Sequence, residues 1–300
     1  MNHIELFAGC GGLSLGLESA GFNLLMANEL SPMAAETFAR NHLKADLDQQ
    51  TNIDKVLWIS SKHNRENIKK RLSENPLFEC GLSKNHYSDL TNKKFLPEEL
   101  DRSLLVGSIA DLNKLLEKNE RLLSLLKDGF GQDGVDLISG GPPCQSFSMA
   151  GLRDHSNHRN TLPWEFAKFV DMVQPKMALL ENVSGILRAF EIEGKRYFAW
   201  HEVAKAFAKV GYVPLCLHIN AKYVGVAQNR PRFILLAFRK DLYDALKTTA
   251  TDKVLLAALE PSERLLDSVA QGKDPDESES FKCFDIEKEN PATRDKYGHT

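Results

Sequence analysis

GGPPCQSFS, residues 140–148, comes directly after the apolar run Val135–Ile138 in this chain of 300 residues. The run predicts a buried strand, and the two prolines end it because proline has a fixed φ and no backbone N–H. Gly140 and Gly141 let the backbone approach a ligand closely. Cys144 is therefore predicted to stand on a rigid turn at a strand end, where a nucleophile is expected. A single cysteine, taken alone, is more often a small buried hydrophobe.

Apolar runs alternate with helical patterns along most of the chain. Helical patterns occur at Leu13–Ser19, Leu112–Leu126 and Pro163–Val173. This alternation predicts an α/β fold with a doubly wound, mostly parallel sheet and helices on both faces. The last strand is expected to run antiparallel to the others. The predicted strands are His3–Phe7, Asn23–Ala27, Leu104–Gly107, Val135–Ser139, Met177–Leu180, Tyr212–His218 and Phe233–Phe238.

Two regions depart from this alternation. Residues 44–103 are polar and too long for an ordinary connection, so we expect an insertion with charged helical pieces such as Asn64–Leu72. Beyond Phe238 the pattern weakens, with helical character only at Leu242–Leu246 and Lys253–Leu266 and none in the last thirty residues. We expect a catalytic domain over residues 1–240, followed over 241–300 by a linker or the start of an incomplete target-recognition region.

Composition limits the function classes. Apolar residues make up 42% of the chain, enough for a full core, and no run is long enough to span a membrane. The amino terminus lacks the pattern of a signal peptide, so a cytoplasmic protein without membrane contact is expected. The five cysteines are scattered without metal-ligand spacing, which predicts reduced thiols and no metal. The net charge of −3 gives no overall attraction to nucleic acid, although residues 222–240 hold five basic side chains and no acidic one.

The segment FAGCGGLSLGLE at residues 7–18 lies between a predicted strand and a predicted helix. Such a glycine turn is typical of nucleotide-cofactor sites, and Glu29 ends the next strand about twenty residues on, where an acid can bind two ribose hydroxyls. Ser14 replaces the third glycine of the dinucleotide pattern, which disfavours a nicotinamide oxidoreductase. The candidate cofactor residues of the turn are Phe7, Ala8, Gly9, Gly11 and Gly12, the first two as a surface for a purine ring.

Two later motifs carry polar side chains at strand ends. ALLENV, Ala178–Val183, places Glu181 and Asn182 at the carboxyl end of a buried strand, where ligands bind in open α/β sheets. QNRPRFILLAF places Arg230 and Arg232 just before the predicted antiparallel strand. If that strand is antiparallel, all four motifs face one cleft.

These four motifs, in this order, resemble the characteristic motifs of the DNA cytosine-5 methyltransferases over about Ile4–Arg239. The resemblance implies a Rossmann-like methyltransferase sheet. It implies transfer of a methyl group from S-adenosyl-L-methionine to C5 of cytosine in double-stranded DNA, for restriction-modification or epigenetic marking. A tRNA cytosine methyltransferase uses the same chemistry and stays open as an alternative, as does a non-catalytic subunit that binds DNA or a partner methyltransferase.

The resemblance also implies roles for individual residues. Cys144 is the nucleophile, Glu181 contacts the target base, and Arg232, with Arg230 nearby, orients the base and the catalytic loop, while Asn182 supports the site. The residues expected at the cofactor are Phe7, Ala8, Gly9, Gly11, Gly12, Glu29, Ser108, Ile109 and Pro142. The residues expected to meet DNA from the loop 145–160 are Gln145, Ser148, Arg153 and Arg159.

The chain departs from the family pattern at two places. Ser108 stands where the family often has an aspartate that meets the adenine amino group. The chain also shows no clear target-recognition domain and lacks the family's late Gly-Asn-rich motif. We therefore expect that a C-terminal part or a second polypeptide supplies target recognition, and that residues 1–300 alone bind the cofactor weakly and methylate duplex DNA slowly or not at all.

Overall fold

The computed structural model describes residues 1–45, 52–59, 90, 96–143, 162–192, 195–249, 251, 253–275 and 281–286. The chain divides into two compact units. The first contains Met1–Gly141 and Lys168–Pro175, and the second contains Pro142–Ala167 and Lys176–Thr300.

In its described residues, the first unit contains a parallel sheet of five strands. Strand β1 pairs with β2 and β5, β2 pairs with β4, and β4 pairs with β3, which gives the order β5-β1-β2-β4-β3. The bounds are β1 Asn2–Leu6, β2 Asn23–Glu29, β3 Val56–Trp58, β4 Ser103–Val106 and β5 Leu137–Gly140. Every residue of β1 and β4 is buried, as expected for parallel strands covered on both faces.

The strand register brings the carboxyl ends of these strands to one edge. Leu6, the last residue of β1, lies opposite Asn28 of β2 and Gly140 of β5, while Glu29 of β2 lies opposite Val106 of β4. The buried Asn28 side chain reinforces this edge, because its amide donates to the carbonyls of Leu105 and Gly107 at 3.0 and 3.1 Å. The residues that follow β1, β2 and β4 therefore start from neighbouring positions.

The described residues of the same unit include the helices α1 Gly12–Ser19, α2 Pro32–His42, α3 Ile109–Glu117 and α4 Glu120–Lys127. The prediction of one helix over Leu112–Leu126 was wrong, because α3 ends before Asn119 and α4 begins after it. The Asn119 side chain accepts a hydrogen bond from Leu122 N at 3.0 Å and so caps α4. Helix α5, Leu162–Val173, contributes residues to both units.

The second unit has a mixed sheet in the order β6-β10-β9-β11. Strand β10 is antiparallel to both β6 and β9, which confirms the predicted direction of the last long strand, and β11 is parallel to β9. A separate hairpin pairs β7 with β8. The bounds are β6 Met177–Val183, β7 Ala189–Ile192, β8 Lys195–Phe198, β9 Tyr212–Asn220, β10 Pro231–Arg239 and β11 Phe284–Asp285.

Helices α6 Ala199–Lys209, α7 Lys240–Thr249 and α8 Lys253–Ala270 complete this unit, and α8 packs against β9 and α6. The two helical patterns beyond Phe238 are therefore confirmed. The absence of any element in the last thirty residues was a wrong prediction, because β11 pairs with Leu217 and His218 of β9. Strand β3 also lies inside the stretch 44–103 that was predicted to be an insertion, whereas the helical piece predicted at Asn64–Leu72 falls outside the described residues.

Short 3-10 turns connect several elements, at Ile53–Lys55, Pro97–Leu100, Ser184–Leu187 and Ala221–Val224. None of the helices in the described ranges is long and apolar enough to cross a membrane.

The cap that separates α3 from α4 gives a direct test of the local structure. Asn119→Ala removes the acceptor for Leu122 N, and we expect a loss of about 1 kcal/mol in the free energy of unfolding measured in urea. The exposed neighbour Lys118 provides the control, because Lys118→Ala removes no capping bond. Equal stability of the two variants would contradict the assigned cap.

Candidate active site

The glycine turn after β1 has an unusual backbone. Phe7, Gly9 and Gly11 have φ values of 54°, 55° and 88°, all in the left-handed region. The turn is closed by Gly11 N, which donates to Ala8 O at 2.9 Å, and Ala8 N donates to Asn28 O at 3.0 Å. A positive φ is strained for a phenylalanine, so the surrounding bonds must hold Phe7 in place.

The glycines of the turn serve different purposes. A Cβ atom on Gly11 would lie 2.1 Å from Nε2 of His42, so helix α2 leaves no room for a side chain there. A Cβ atom on Gly9 or Gly12 would meet nothing within 4 Å, so open space lies above both residues. Gly11 is required by packing, whereas Gly9 and Gly12 leave space that a ligand can occupy.

Glu29 links the turn to the start of α2. Its Oε2 accepts a hydrogen bond from Gly9 N at 2.8 Å, and its Oε1 accepts one from Ser31 N at 2.7 Å. Each carboxylate oxygen has a second lone pair, so the side chain can still accept bonds from two hydroxyls. The residues present therefore fit the ribose of a nucleotide cofactor, in the place where the sequence predicted one.

Ser108 and Ile109 follow β4 at the same edge. Gly107 N donates to Glu29 O at 2.8 Å, which fixes this segment beside the acid. The Ser108 hydroxyl accepts a hydrogen bond from Ala110 N at 3.2 Å and caps α3, and Ile109 is buried. Serine and aspartate are both good N-caps, so the departure from the family pattern at Ser108 retains the capping function.

A buried polar pair beneath the turn was not predicted as functional. Ser14 donates a short hydrogen bond to Oε2 of Glu5, and the two residues are 0% and 2% exposed. Burial raises the pKa of Glu5 to about 7, while the bond from Ser14 opposes this rise. His3, on the same face of β1, has its pKa lowered to about 4 by burial and by His42. The sequence signal was the polar residue at position 14, within an otherwise apolar helix face.

In the second unit the main feature is an ion pair across β6 and β10. Arg232 Nε lies 2.6 Å from Oε1 of Glu181, with the two side chains 18% and 35% exposed. Glu181 lies opposite Ile234, so Arg232 reaches it from the same face of the sheet, two residues along β10. Arg232 also donates from Nη1 to Pro231 O at 2.9 Å. The guanidinium thereby fixes the position of a carboxylate that remains partly open to solvent.

Asn182 holds the segment that precedes Cys144. Its amide donates to Pro142 O at 3.0 Å, and its Oδ1 accepts from Val183 N at 2.8 Å. Asn182 and Pro142 are both buried. Asn182 thus ties the end of β6 to the backbone two residues before Cys144.

Arg230 is exposed in the connection between β9 and β10. Asn220 organises this connection, because its Oδ1 accepts from Arg230 N at 3.0 Å and its Nδ2 donates to Asn229 Oδ1 at 2.8 Å. Val224 and Val226 are exposed in the same connection. The structure therefore places Arg232 at the carboxylate and leaves Arg230 facing solvent.

A row of polar groups beside the end of β6 was also missed. Ser184 Oγ lies 3.1 Å from Nε2 of His218, and His218 Nδ1 lies 3.6 Å from Oδ2 of Asp285. Asp285 belongs to β11, so this row attaches the last described strand to the turn after β6. Ser184, His218 and Asp285 are far apart in the sequence, so no local sequence pattern predicts that they come together.

Several predicted site residues lie outside the described residues. These are Cys144 and the loop residues Gln145, Ser148, Arg153 and Arg159. Of the cysteines that the structure describes, Cys10, Cys216 and Cys283 are free. The described parts of the chain contain no group of three His, Cys, Asp or Glu side chains placed to hold a metal ion.

A parallel α/β sheet with a glycine turn after β1 and an acid at the end of β2 defines the class of Rossmann-like nucleotide-cofactor proteins. The family model for the C-5 cytosine-specific DNA methylases matches residues 1–65 and 109–296, and the chain belongs to this family. The match leaves out residues 66–108, most of which fall in the stretch predicted to be an insertion.

The chain is 29% identical over 241 residues to the type II methyltransferase M.DdeI of Desulfomicrobium norvegicum, covering 80% of this chain and 41% of the relative. It is 31% identical over 243 residues to the type II methyltransferase M.FnuDI of Fusobacterium nucleatum. That alignment covers 81% of this chain and 48% of the relative. The crystal structure of the S. pombe Dnmt2 methyltransferase aligns with a TM-score of 0.40 and 17% identity, over 84% of this chain and 57% of that one. The chain thus spans about half the length of the curated relatives described here.

Two glycines close together in the chain give a matched test of the turn. Gly11→Ala introduces a Cβ at φ 88° and 2.1 Å from the His42 ring, and we expect it to lower the free energy of unfolding by about 2 kcal/mol or more. Gly16→Ala, within α1 and in open space, should be neutral or stabilising by up to about 1 kcal/mol. Chemical denaturation of both variants measures the difference, and a Gly11→Ala variant as stable as the parent would refute the packing assigned to Gly11.

Proposed function

We propose that this chain transfers a methyl group from S-adenosyl-L-methionine to C5 of cytosine in double-stranded DNA. Membership of the C-5 cytosine-specific DNA methylase family supports the reaction class. The observation that carries the proposal is the ion pair of Glu181 with Arg232, because it presents a fixed, partly exposed carboxylate at the carboxyl end of a strand. The type II methyltransferases among the relatives favour a role in restriction-modification, in the bacterial cytoplasm.

The cofactor is proposed to bind at the carboxyl edge of the first unit. Glu29 would accept the ribose hydroxyls, and the open space above Gly9 and Gly12 would admit the cofactor close to the backbone. Phe7 would offer a surface to the purine ring, beside Ser108 and its neighbour Ile109. When bound, S-adenosyl-L-methionine supplies an electrophilic methyl group on a positively charged sulfonium.

The chain's own residues must make C5 of cytosine nucleophilic. Cys144, outside the described residues, is proposed to add as a thiolate to C6, which places an electron pair on the ring. Glu181, sharing a proton with N3 of the base, would offset the negative charge that develops on the ring as the thiolate adds. Arg232 keeps this carboxylate in position. After C5 has taken the methyl group, loss of the C5 proton to a base and expulsion of the Cys144 thiolate restore the aromatic ring.

A base inside a stacked duplex cannot reach these groups, so the target cytosine must be flipped out at a cost of a few kcal/mol. The loop residues Gln145, Ser148, Arg153 and Arg159 are proposed to meet the DNA during this step. Exposed Arg230, in the connection between β9 and β10, is proposed to help Arg232 orient the base and the catalytic loop.

Target recognition is proposed to come from outside these 300 residues. The chain spans 41% and 48% of two type II methyltransferases, which have additional sequence. A further C-terminal part, or a second polypeptide, would supply the side chains that read base edges in a groove. The same part would complete the cofactor pocket.

Covalent trapping tests the proposed nucleophile. Fluorine at C5 of the target cytosine blocks loss of the C5 substituent, so the enzyme should stay bound to DNA as an adduct that survives a denaturing gel. Cys144→Ala should form no adduct while keeping its affinity for cofactor, and Cys283→Ala, at a free thiol just before β11, provides the control. Methylation of DNA by the Cys144→Ala variant would refute this mechanism. We expect slow trapping by residues 1–300 alone and efficient trapping when the downstream polypeptide is added.

A second test concerns Glu29. Glu29→Ala removes two charged hydrogen bonds to the ribose, each worth about 1 kcal/mol or somewhat more, so affinity for S-adenosylhomocysteine should fall roughly ten- to a hundredfold. Glu29→Gln keeps one acceptor and should lose less. Calorimetry measures both, and an unchanged dissociation constant for the alanine variant would remove Glu29 from the site.

A further inference from the structure

Glu5 is a buried carboxyl for which the mechanism above has no use. It lies on β1, two residues before Phe7, and it is 2% exposed. Its hydrogen bond from Ser14 joins the end of β1 to the first turn of α1, so the pair closes the base of the glycine turn. The cross-strand neighbours of Glu5 are Ala27 and Ser139, which carry no charge.

The ionised form of Glu5 has no cation beside it in the described part of the chain. His3 shares its face of β1, but burial lowers the pKa of His3 to about 4, so its ring is neutral near pH 7. His42 lies 3.1 Å from Glu18, a different acid at the surface end of α1. Glu18 and Glu29 both act on Glu5 with the same sign of charge, and each disfavours its ionisation.

We propose that Glu5 makes the cofactor site selective for positive charge, so that it favours the sulfonium of S-adenosyl-L-methionine over the neutral thioether of S-adenosylhomocysteine. This inference rests on the proposed function, since it assumes that the cofactor binds at the glycine turn. A cation brought to the turn supplies the opposite charge that ionised Glu5 lacks. After methyl transfer that charge is gone, so the product is held less tightly than the donor.

The pKa of Glu5 determines how the preference for the sulfonium ligand changes with pH. Burial raises the pKa of Glu5 from the ordinary 4.5 to about 7, so the carboxyl is largely protonated at pH 6 and largely ionised at pH 8. A nearby cation favours the ionised form. The preference for the sulfonium ligand should therefore grow as pH rises from 6 to 8, with a proton released on binding near pH 7.

Calorimetry on the full chain tests this without any methyl transfer. Dissociation constants are measured at pH 6 and pH 8 for S-adenosyl-L-methionine, for S-adenosylhomocysteine and for sinefungin, which carries an amine in place of the sulfonium. The parent should prefer both cationic ligands over S-adenosylhomocysteine by about tenfold more at pH 8 than at pH 6. Glu5→Gln, which keeps the shape of the side chain, should lose most of this gain.

Two further variants separate Glu5 from its surroundings. Ser14→Ala removes the hydrogen bond that stabilises the carboxylate, so the rise in preference should move to higher pH. Glu18→Gln removes an acid whose side chain is 37% exposed, and it should leave the preference nearly unchanged because solvent screens that charge. If Glu5→Gln fails to fold, the expected shift in Ser14→Ala and the expected lack of change in Glu18→Gln still test the inference.

The possible failures are distinct. If the parent binds all three ligands but its preference does not depend on pH, or if Glu5→Gln shows the same dependence, the inference about Glu5 is wrong while the proposed cofactor stands. If Glu18→Gln removes the preference as strongly as Glu5→Gln, surface charge is the cause and the inference is also wrong. If no ligand binds to the parent, either alone or with the proposed C-terminal part added, both this inference and the proposed cofactor fail.

Discussion

The hydrogen bonds of the Glu29 carboxylate are the interaction on which the carboxyl edge of the first unit depends. This carboxylate accepts hydrogen bonds from Gly9 N, in the turn after β1, and from Ser31 N, just before α2. Because β1 and β2 are parallel neighbours, the turn that follows one strand and the acid that ends the other meet at the same edge. A single side chain thus shapes the turn and keeps lone pairs free for a ligand. The positive φ of Phe7 and the close packing of Gly11 are tolerated because Glu29 bonds both the turn and the start of α2.

In the second unit an antiparallel strand, β10, brings two side chains together at one edge of the sheet. Since β10 runs antiparallel to β6, Arg232 near its start lies beside Glu181 near the end of β6. An arginine suits this position because its planar guanidinium holds a carboxylate in a defined orientation, which a lysine cannot do as well. Asn182, the next residue, faces the other side and bonds Pro142 O. Adjacent residues of one strand therefore make two different contacts, Glu181 with Arg232 and Asn182 with the backbone of Pro142.

Much of this could be predicted from sequence, because long apolar runs and glycine turns leave strong local signals. The last long strand was expected to be antiparallel, the direction that brings Arg232 to the same edge as Glu181, and its pairing with β6 confirms this direction. What escaped prediction was short or non-local. Strand β11 has only two residues and exists through its pairing with β9, and β3 is a three-residue strand within a polar stretch. The hydrogen bond between Ser14 and Glu5 was not predicted, because Ser14 was interpreted only as a departure from the glycine pattern of dinucleotide-binding proteins. The split between α3 and α4 depended on one capping side chain, Asn119, inside an otherwise continuous helical pattern.

The central claim is that this chain methylates C5 of cytosine in DNA. The most direct measurement offers duplex DNA and transfer RNA together to the protein, with the proposed target-recognition part added and with S-adenosyl-L-methionine that carries a deuterated methyl group. The labelled nucleosides are identified by mass spectrometry. We expect deuterated 5-methyl-2′-deoxycytidine, and none with the Cys144→Ala variant. Label in N4-methylcytosine or N6-methyladenine of DNA, or in RNA alone, would contradict it.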